Sequence, residues 1–323
     1  MSINRVIYWA ILVAAMITSA AEAETSYWRI ASDRVTVMSS GSSERCARLA
    51  AELIAFERIL RQEANWDASY ELPPVTVYAI SQQDARRVFL SEAERKQQAV
   101  TRFQIFSKYL PDRDSTTLAL VDVGGIDDPL QSIFLMYAEG LLTNGPTLHD
   151  PPWYQFGIAN LFNGLIIRSD GSALLNRNVP FEPMDSGKHV QHESYGLPKL
   201  LRIGTADLNA GGDFKSYLAA AREWAQFGLL TGEQRRSQYR ELALQMRQGA
   251  PADEAVKAAF GKSLDELTSE FATGNWRYQV QFRINPIESA KPFPEPVKLE
   301  SGEAEALLRV LAARAQRGGA DQP

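Results

Sequence analysis

A single cysteine in 323 residues excludes an internal disulfide, so stability has to come from a packed core. That cysteine, Cys46, recurs with Leu49, Ala50 and Leu53 at helical spacing, which predicts a buried thiol rather than a reactive one. Histidine is almost as scarce: His149, His189 and His192 are all there are. Positive charge is not in excess, with 34 Lys and Arg against 39 Asp and Glu, and the net charge of -5 gives no footing for nucleic acid. Apart from Val6 to Ile17 there is no sustained apolar run, and that one is shorter than the roughly 20 residues a membrane span needs. Gly124-Gly125 lacks the lysine of a phosphate-binding loop, and no Ser-His-Asp order or thiol motif is present. The composition implies no cofactor.

What is present begins with an address. Arg5 precedes the apolar run, and Ala21, Glu22 and Ala23 form an A-x-A cleavage triplet before Glu24. This predicts a signal peptide over residues 1–23 and a periplasmic or secreted protein that is not integral to the membrane after cleavage. A retained N-terminal anchor is the alternative.

The remaining 45% hydrophobic composition supports one sizeable core. Val35 and Val37, then Val75, Val77 and Ala79, alternate with period two, as strands do. Between them Cys46, Leu49, Ala50, Leu53, Phe56 and Leu60 form a helical stripe, Gln83 to Phe89 reads as helix, and Thr117 to Val123 suits a buried strand. Phe103 to Tyr109 fits either type. From Asp128, an N-cap followed by Pro129, the spacing turns helical. Asn144, Gly145 and Pro146 end that helix, and another starts at Trp153. Arg168 to Tyr195 reads as an irregular excursion. Helices are predicted over Phe214 to Leu230, Gly232 to Gln248 with Thr231 as cap, and Ala252 to Phe271. The expected class is α+β: a small mixed sheet with helices on one side over residues 28–123, followed by a mostly helical body over 128–276. A Pro-rich extended segment, 277–302, leads to an amphipathic helix at 303–317, read as docked on the domain.

The stretch Ser132 to Phe162 carries a resemblance. Phe134, Tyr137, Trp153, Tyr154, Gly157, Ile158 and Ala159 are similar to the F-H-E-Y-x-H and W-L-x-E-G-L-A helices of bacterial peptidase-MA-like gluzincins, zinc metallopeptidases of the HExxH type. Trp28 to Leu60, Glu223 to Ala225 and Ala258 to Leu267 extend the likeness to roughly residues 27–276. The resemblance implies a zincin-like body whose zinc-site positions are Leu135, Met136, Glu139 and Phe156, with Asn160 where a second carboxylate often stands. Leucine, methionine and phenylalanine offer zinc no imidazole nitrogen, thiolate or carboxylate oxygen. The chain therefore resembles a degenerate member lacking the zinc motif, with no catalytic residue and no metal.

Three readings follow. The first is an exported pseudopeptidase, probed through a groove near Trp153, Tyr154 and Asn160, that binds a peptide or envelope protein as a binding, scaffold or regulatory protein. The second is a metal-dependent hydrolase with a relocated site at Glu139, His189, His192 and Glu193, since H-x-x-H-E brings two imidazoles together if helical. Against it, Gly187, Gly196 and Pro198 point to a polar loop. The third is a structural accessory acting through its C-terminal helix. Glu139 alone would be at best one weak ligand, and its ordinary role is a polar residue in a partly open groove or paired with an arginine.

Overall fold

In this computed structural model the described residues are 25–66, 70–90, 92, 95, 107–111, 115–122, 131–145, 149–162, 165–167, 172–176, 195–204, 207, 214–273, 281–284 and 294–320. The N-terminal part runs β1 (Tyr27–Ala31), β2 (Val35–Ser40), α1 (Ser43–Glu63), β3 (Val75–Ser81), α2 (Gln82–Phe89), β4 (Ser107–Pro111) and β5 (Thr116–Asp122). The body continues through α3 (Gln131–Asn144), α4 (Pro152–Leu161), β6 (Leu165–Ile167), β7 (Ala173–Asn176), α5 (Leu197–Arg202), α6 (Phe214–Leu230) and α7 (Glu233–Arg247). It closes with α8 (Ala252–Phe260), α9 (Leu264–Ala272), β8 (Gln281–Ile284), β9 (Val297–Lys298) and α10 (Ser301–Ala320). The signal peptide, the Asp128 cap and the His189 to Glu193 cluster lie outside the described residues.

The fold is α+β, with the change from strand to helix falling where the period changes. Six strands form a mixed sheet in the order β4-β5-β3-β2-β1-β9. The β2, β3 and β5 strands are parallel, in the register Val35↔Val75 and Val77↔Leu118. The β1, β4 and β9 strands add antiparallel partners. Ser42 starts α1 by accepting from the Arg45 N–H at 3.3 Å, and the stripe from Cys46 to Leu60 is buried against one sheet face. Cys46 is buried as the spacing predicts.

Helices cover both faces of the sheet, not one. Met38, Tyr78, Ile80, Ala119 and Val121 form a second apolar layer, roofed by Ala85 and Val88 of α2 and by Ala304, Leu308 and Leu311 of α10. The cause is in the strands, whose neighbouring residues are apolar on opposite sides, as buried parallel strands require. Arg87 holds α10 to α2 through Glu305 at 2.7 Å, and Arg314 donates to the Thr117 hydroxyl.

Other departures are local. Of the ambiguous Phe103 to Tyr109 stretch, Ser107 to Tyr109 lie in the strand β4, and residues 103–106 lie outside the described residues. Ala173–Asn176, inside the predicted irregular excursion, is a strand that joins β6 and β8 in a second, three-stranded antiparallel sheet. The helix predicted from Ala252 to Phe271 is two helices. Gly261 ends α8 in the left-handed region (φ 66°), and Ser263 with Glu266 forms a capping box that starts α9. Thr231 does not cap α7. Its hydroxyl donates back to the Phe227 carbonyl at 2.6 Å, and Gly232 at φ 139° makes the turn.

A buried ion pair joins sheet and body. Glu57 on α1 accepts from Arg34 Nη1 at 2.8 Å, from Arg34 Nη2, and from the Tyr137 hydroxyl of α3 at 2.7 Å. Burial first, and then the Glu57 charge, pushes the Tyr137 hydroxyl well above its ordinary range, so it stays protonated and donates. Phe56 stacks on Phe134 with centroids 4.4 Å apart in the same contact.

Candidate functional site

The α3 and α4 helices pack together, and Gly157 of α4 lets α6 come close: a Cβ there would sit 2.7 Å from the Ala221 carbonyl. Leu135 and Met136 on α3 and Phe156 on α4 are half-buried and pack against the main core. Phe156 meets Phe214 and Tyr217 of α6 edge-on, at centroid distances of 5.5 and 6.4 Å. Their side chains contribute packing where the resemblance places zinc ligands. Asn160 is buried; its amide donates to the Phe156 carbonyl at 2.8 Å, while its Oδ1 accepts no hydrogen bond among the described residues.

The two groove aromatics go elsewhere. Trp153 is fully buried, with its ring 5.3 Å from Tyr239 and 6.4 Å from Trp224. Tyr154 stacks on Tyr239 at 5.4 Å and borders a separate cavity described below. His149 is exposed. Among the described residues no group of three or more His, Cys, Asp or Glu is gathered to hold a metal ion, and no helix is long and apolar enough to cross a membrane.

Glu139 stands apart from these apolar neighbours. It is half-buried on α3, and among the described residues it makes neither an ion pair nor a side-chain hydrogen bond. Burial alone raises its carboxyl above the ordinary range. The arginine partner that the sequence admits as its ordinary role is not found among the described residues. The next residue, Gly140, accommodates Tyr109 of β4, whose hydroxyl would collide with any Cβ there. Tyr109 is pushed up chiefly by burial and further by the nearby Glu139 charge. Its position places Glu139 beside the terminal strand of the large sheet.

A second polar region was not anticipated. A cavity of about 580 Å³ lies between the C-terminal end of α1 and α7, lined by Asn65, Trp66, Asp150, Tyr154, Arg240 and Arg247 among others. Each of its arginines has a partner on the protein. Arg236 donates to the Leu229 carbonyl through Nε and Nη2 at 3.2 and 3.1 Å, and Arg240 donates to the Gln62 carbonyl at 2.7 Å, at the negative end of the α1 dipole. Arg247 lies 3.3 Å from Asp150. Burial pushes Asp150 up to about 6 against the pull of Arg247. Glu63 sits beneath, raised by burial, with Arg236 and Arg240 at 3.9 and 4.0 Å. This arrangement clamps three helix ends together. The arginine row at i, i+4 and i+11 of α7 was visible in the sequence, but Glu63 and Asp150 are distant along the chain.

No protein-family model matches the chain, and no curated protein matches it.

Proposed function

We propose that this protein is an exported, non-catalytic relative of the gluzincin-type peptidases that binds extended peptide segments in the cell envelope, as a binding, scaffold or regulatory protein. One observation carries the reading: half-buried Leu135, Met136 and Phe156 stand at the positions to which the resemblance assigns zinc chemistry, and none offers the ion an imidazole nitrogen, thiolate or carboxylate oxygen. The α3 and α4 helices otherwise pack together as a sound framework of the kind the resemblance implies. The neighbouring β4 strand has β5 as its only partner strand among the described residues, and strand addition to a sheet edge is the binding mode this reading takes.

The test is metal content and hydrolysis together. Mature protein dialysed against zinc is expected to hold no stoichiometric metal, to keep its melting temperature on adding chelator, and to leave a mixed peptide substrate uncut. One zinc per chain with chelator-sensitive cleavage would overturn the reading, because a site present only in the folded state stabilises it by mass action.

A further inference from the structure

The described apolar side chains form two separate clusters, one on each face of the large sheet. The main core joins α1, α3, α4, α6 and α7 to one face. The second cluster has twelve buried residues, and four of them, Leu299, Ala304, Leu308 and Leu311, come from the C-terminal segment, which supplies none to the main core. The grip of that segment is narrow. Over residues 301–317, α10 buries only Ala304, Leu308 and Leu311, whereas α1, of similar length, buries nine side chains. Val310, on the outer side of α10, is exposed. Strand β9 is two exposed residues long and pairs Val297 with Arg29 and Lys298 with Trp28, and the Leu299 N–H donates to the Tyr27 carbonyl at 2.9 Å. Two polar fastenings complete the contact. Arg87 reaches Glu305 at 2.7 Å with both side chains partly in water, which screens the pair, and Arg314 donates to the Thr117 hydroxyl further along the helix.

We propose that β9 and α10 form a strap that opens and closes as one unit while the main core stays folded, baring the sheet face made by Met38, Tyr78, Ala119 and Val121. Three buried side chains stand against the entropy of ordering a 20-residue helix, and elements with few buried apolar contacts are the ones that open locally. Opening breaks the two polar fastenings and the Leu299 bond, and it takes four apolar members from the second cluster. The main core loses nothing. The open state presents an apolar surface that the closed state lacks, so whatever loosens either fastening raises the open population.

The experiment is native-state hydrogen exchange on the purified full chain, read amide by amide at several sub-denaturing urea concentrations. The amides of Leu308, Val310 and Leu311 are expected to share one opening constant, at least about tenfold larger than that of the slowest amides in β2, β3 and β5. Their exchange should also depend less on urea, because a strap exposes less surface than the whole fold. Two variants separate local from global opening. Ile59→Val, in the main core, should speed the slow β3 amides about two- to tenfold and leave α10 unchanged. Leu311→Ala should speed both sets by the same factor, about thirtyfold or more, since it destabilises the closed state from which both openings start. Protection of α10 equal to that of β3, with the same urea dependence or an equal response to Ile59→Val, would mean that α10 leaves only when everything unfolds, and would overturn the proposal. Exchange graded from residue to residue along α10, without urea dependence, would show fraying instead of a strap and would overturn it as well. The urea comparison needs only the parent protein and stays decisive if a variant folds poorly.

Discussion

Removing Arg34 should damage this protein far more than removing an ordinary surface arginine. The Glu57 side chain is 3% exposed, and two of its three hydrogen bonds come from Arg34, the third from the Tyr137 hydroxyl. In Arg34→Ala the carboxylate stays buried with one neutral donor, a situation that costs about 3–5 kcal/mol when a buried pair is broken from one side. Arg34 is itself 30% exposed, so its own desolvation is partial and the lower end of that range applies. Tyr137→Phe removes one hydrogen bond to a charged group and leaves the guanidinium in place, at about 1.5–3 kcal/mol. Replacing all three polar groups with apolar ones, Arg34→Met, Glu57→Leu and Tyr137→Phe together, should come within about 1 kcal/mol of the parent, because neither an ion nor the Tyr137 hydroxyl is left buried and unpaired. Urea unfolding followed by circular dichroism, read at unchanged slope, measures all three. A cost for Arg34→Ala below about 1 kcal/mol would place the pair among screened surface ion pairs and refute its role in joining α1, β2 and α3.

Glu139→Gln should raise stability at pH 7.5, and the gap should close as pH falls. The parent's carboxyl is raised in the folded state, so its contribution is present at low pH and is lost as pH rises through the folded value; a constant difference across pH would show that its charge is not the cause. Carboxyl NMR should find Asp150 titrating near 6 and move it further upward in Arg247→Met, since the arginine is what restrains the shift; an unmoved midpoint would break the pairing. The fourfold variant Leu135→His, Met136→Glu, Glu139→His and Phe156→Glu should be destabilised without metal by roughly 1–3 kcal/mol for each unpaired polar group, and zinc should rescue it. A folded variant that binds zinc no better than the parent would mean that the resemblance misplaces the site.

The valine alternation and the Cys46 to Leu60 stripe made the large sheet and its first covering helix legible, because local period alone decides which residues face inward. The second face was harder to foresee. Tyr78 and Val121 announce an apolar surface, but only the return of the chain after residue 296 says what covers it. The break between α8 and α9 was within reach, since Ser263 and Glu266 spell a capping box directly after Gly261; the unbroken apolar spacing concealed it. At the candidate site, the sequence supplied Leu135, Met136, Glu139 and Phe156 through resemblance. That Glu139 lies near Tyr109, with no arginine partner among the described residues, depends on β4 and α3, which are separated along the chain, and no spacing rule reaches across that gap.

The C-terminal segment gives the sheet an order of completion. Strand β9 pairs with β1, and Leu308 and Leu311 of α10 seal the face that Met38, Ile80 and Val121 present. At about 5–20 residues per second of synthesis, that apolar face waits on the order of 10–40 s between the emergence of β5 and the emergence of its lid. During that interval the nascent chain displays a two-sided sheet with one side covered only by α2, a surface suited to holding chaperones and prone to self-association. A stop codon anywhere before α10 would make that transient condition permanent.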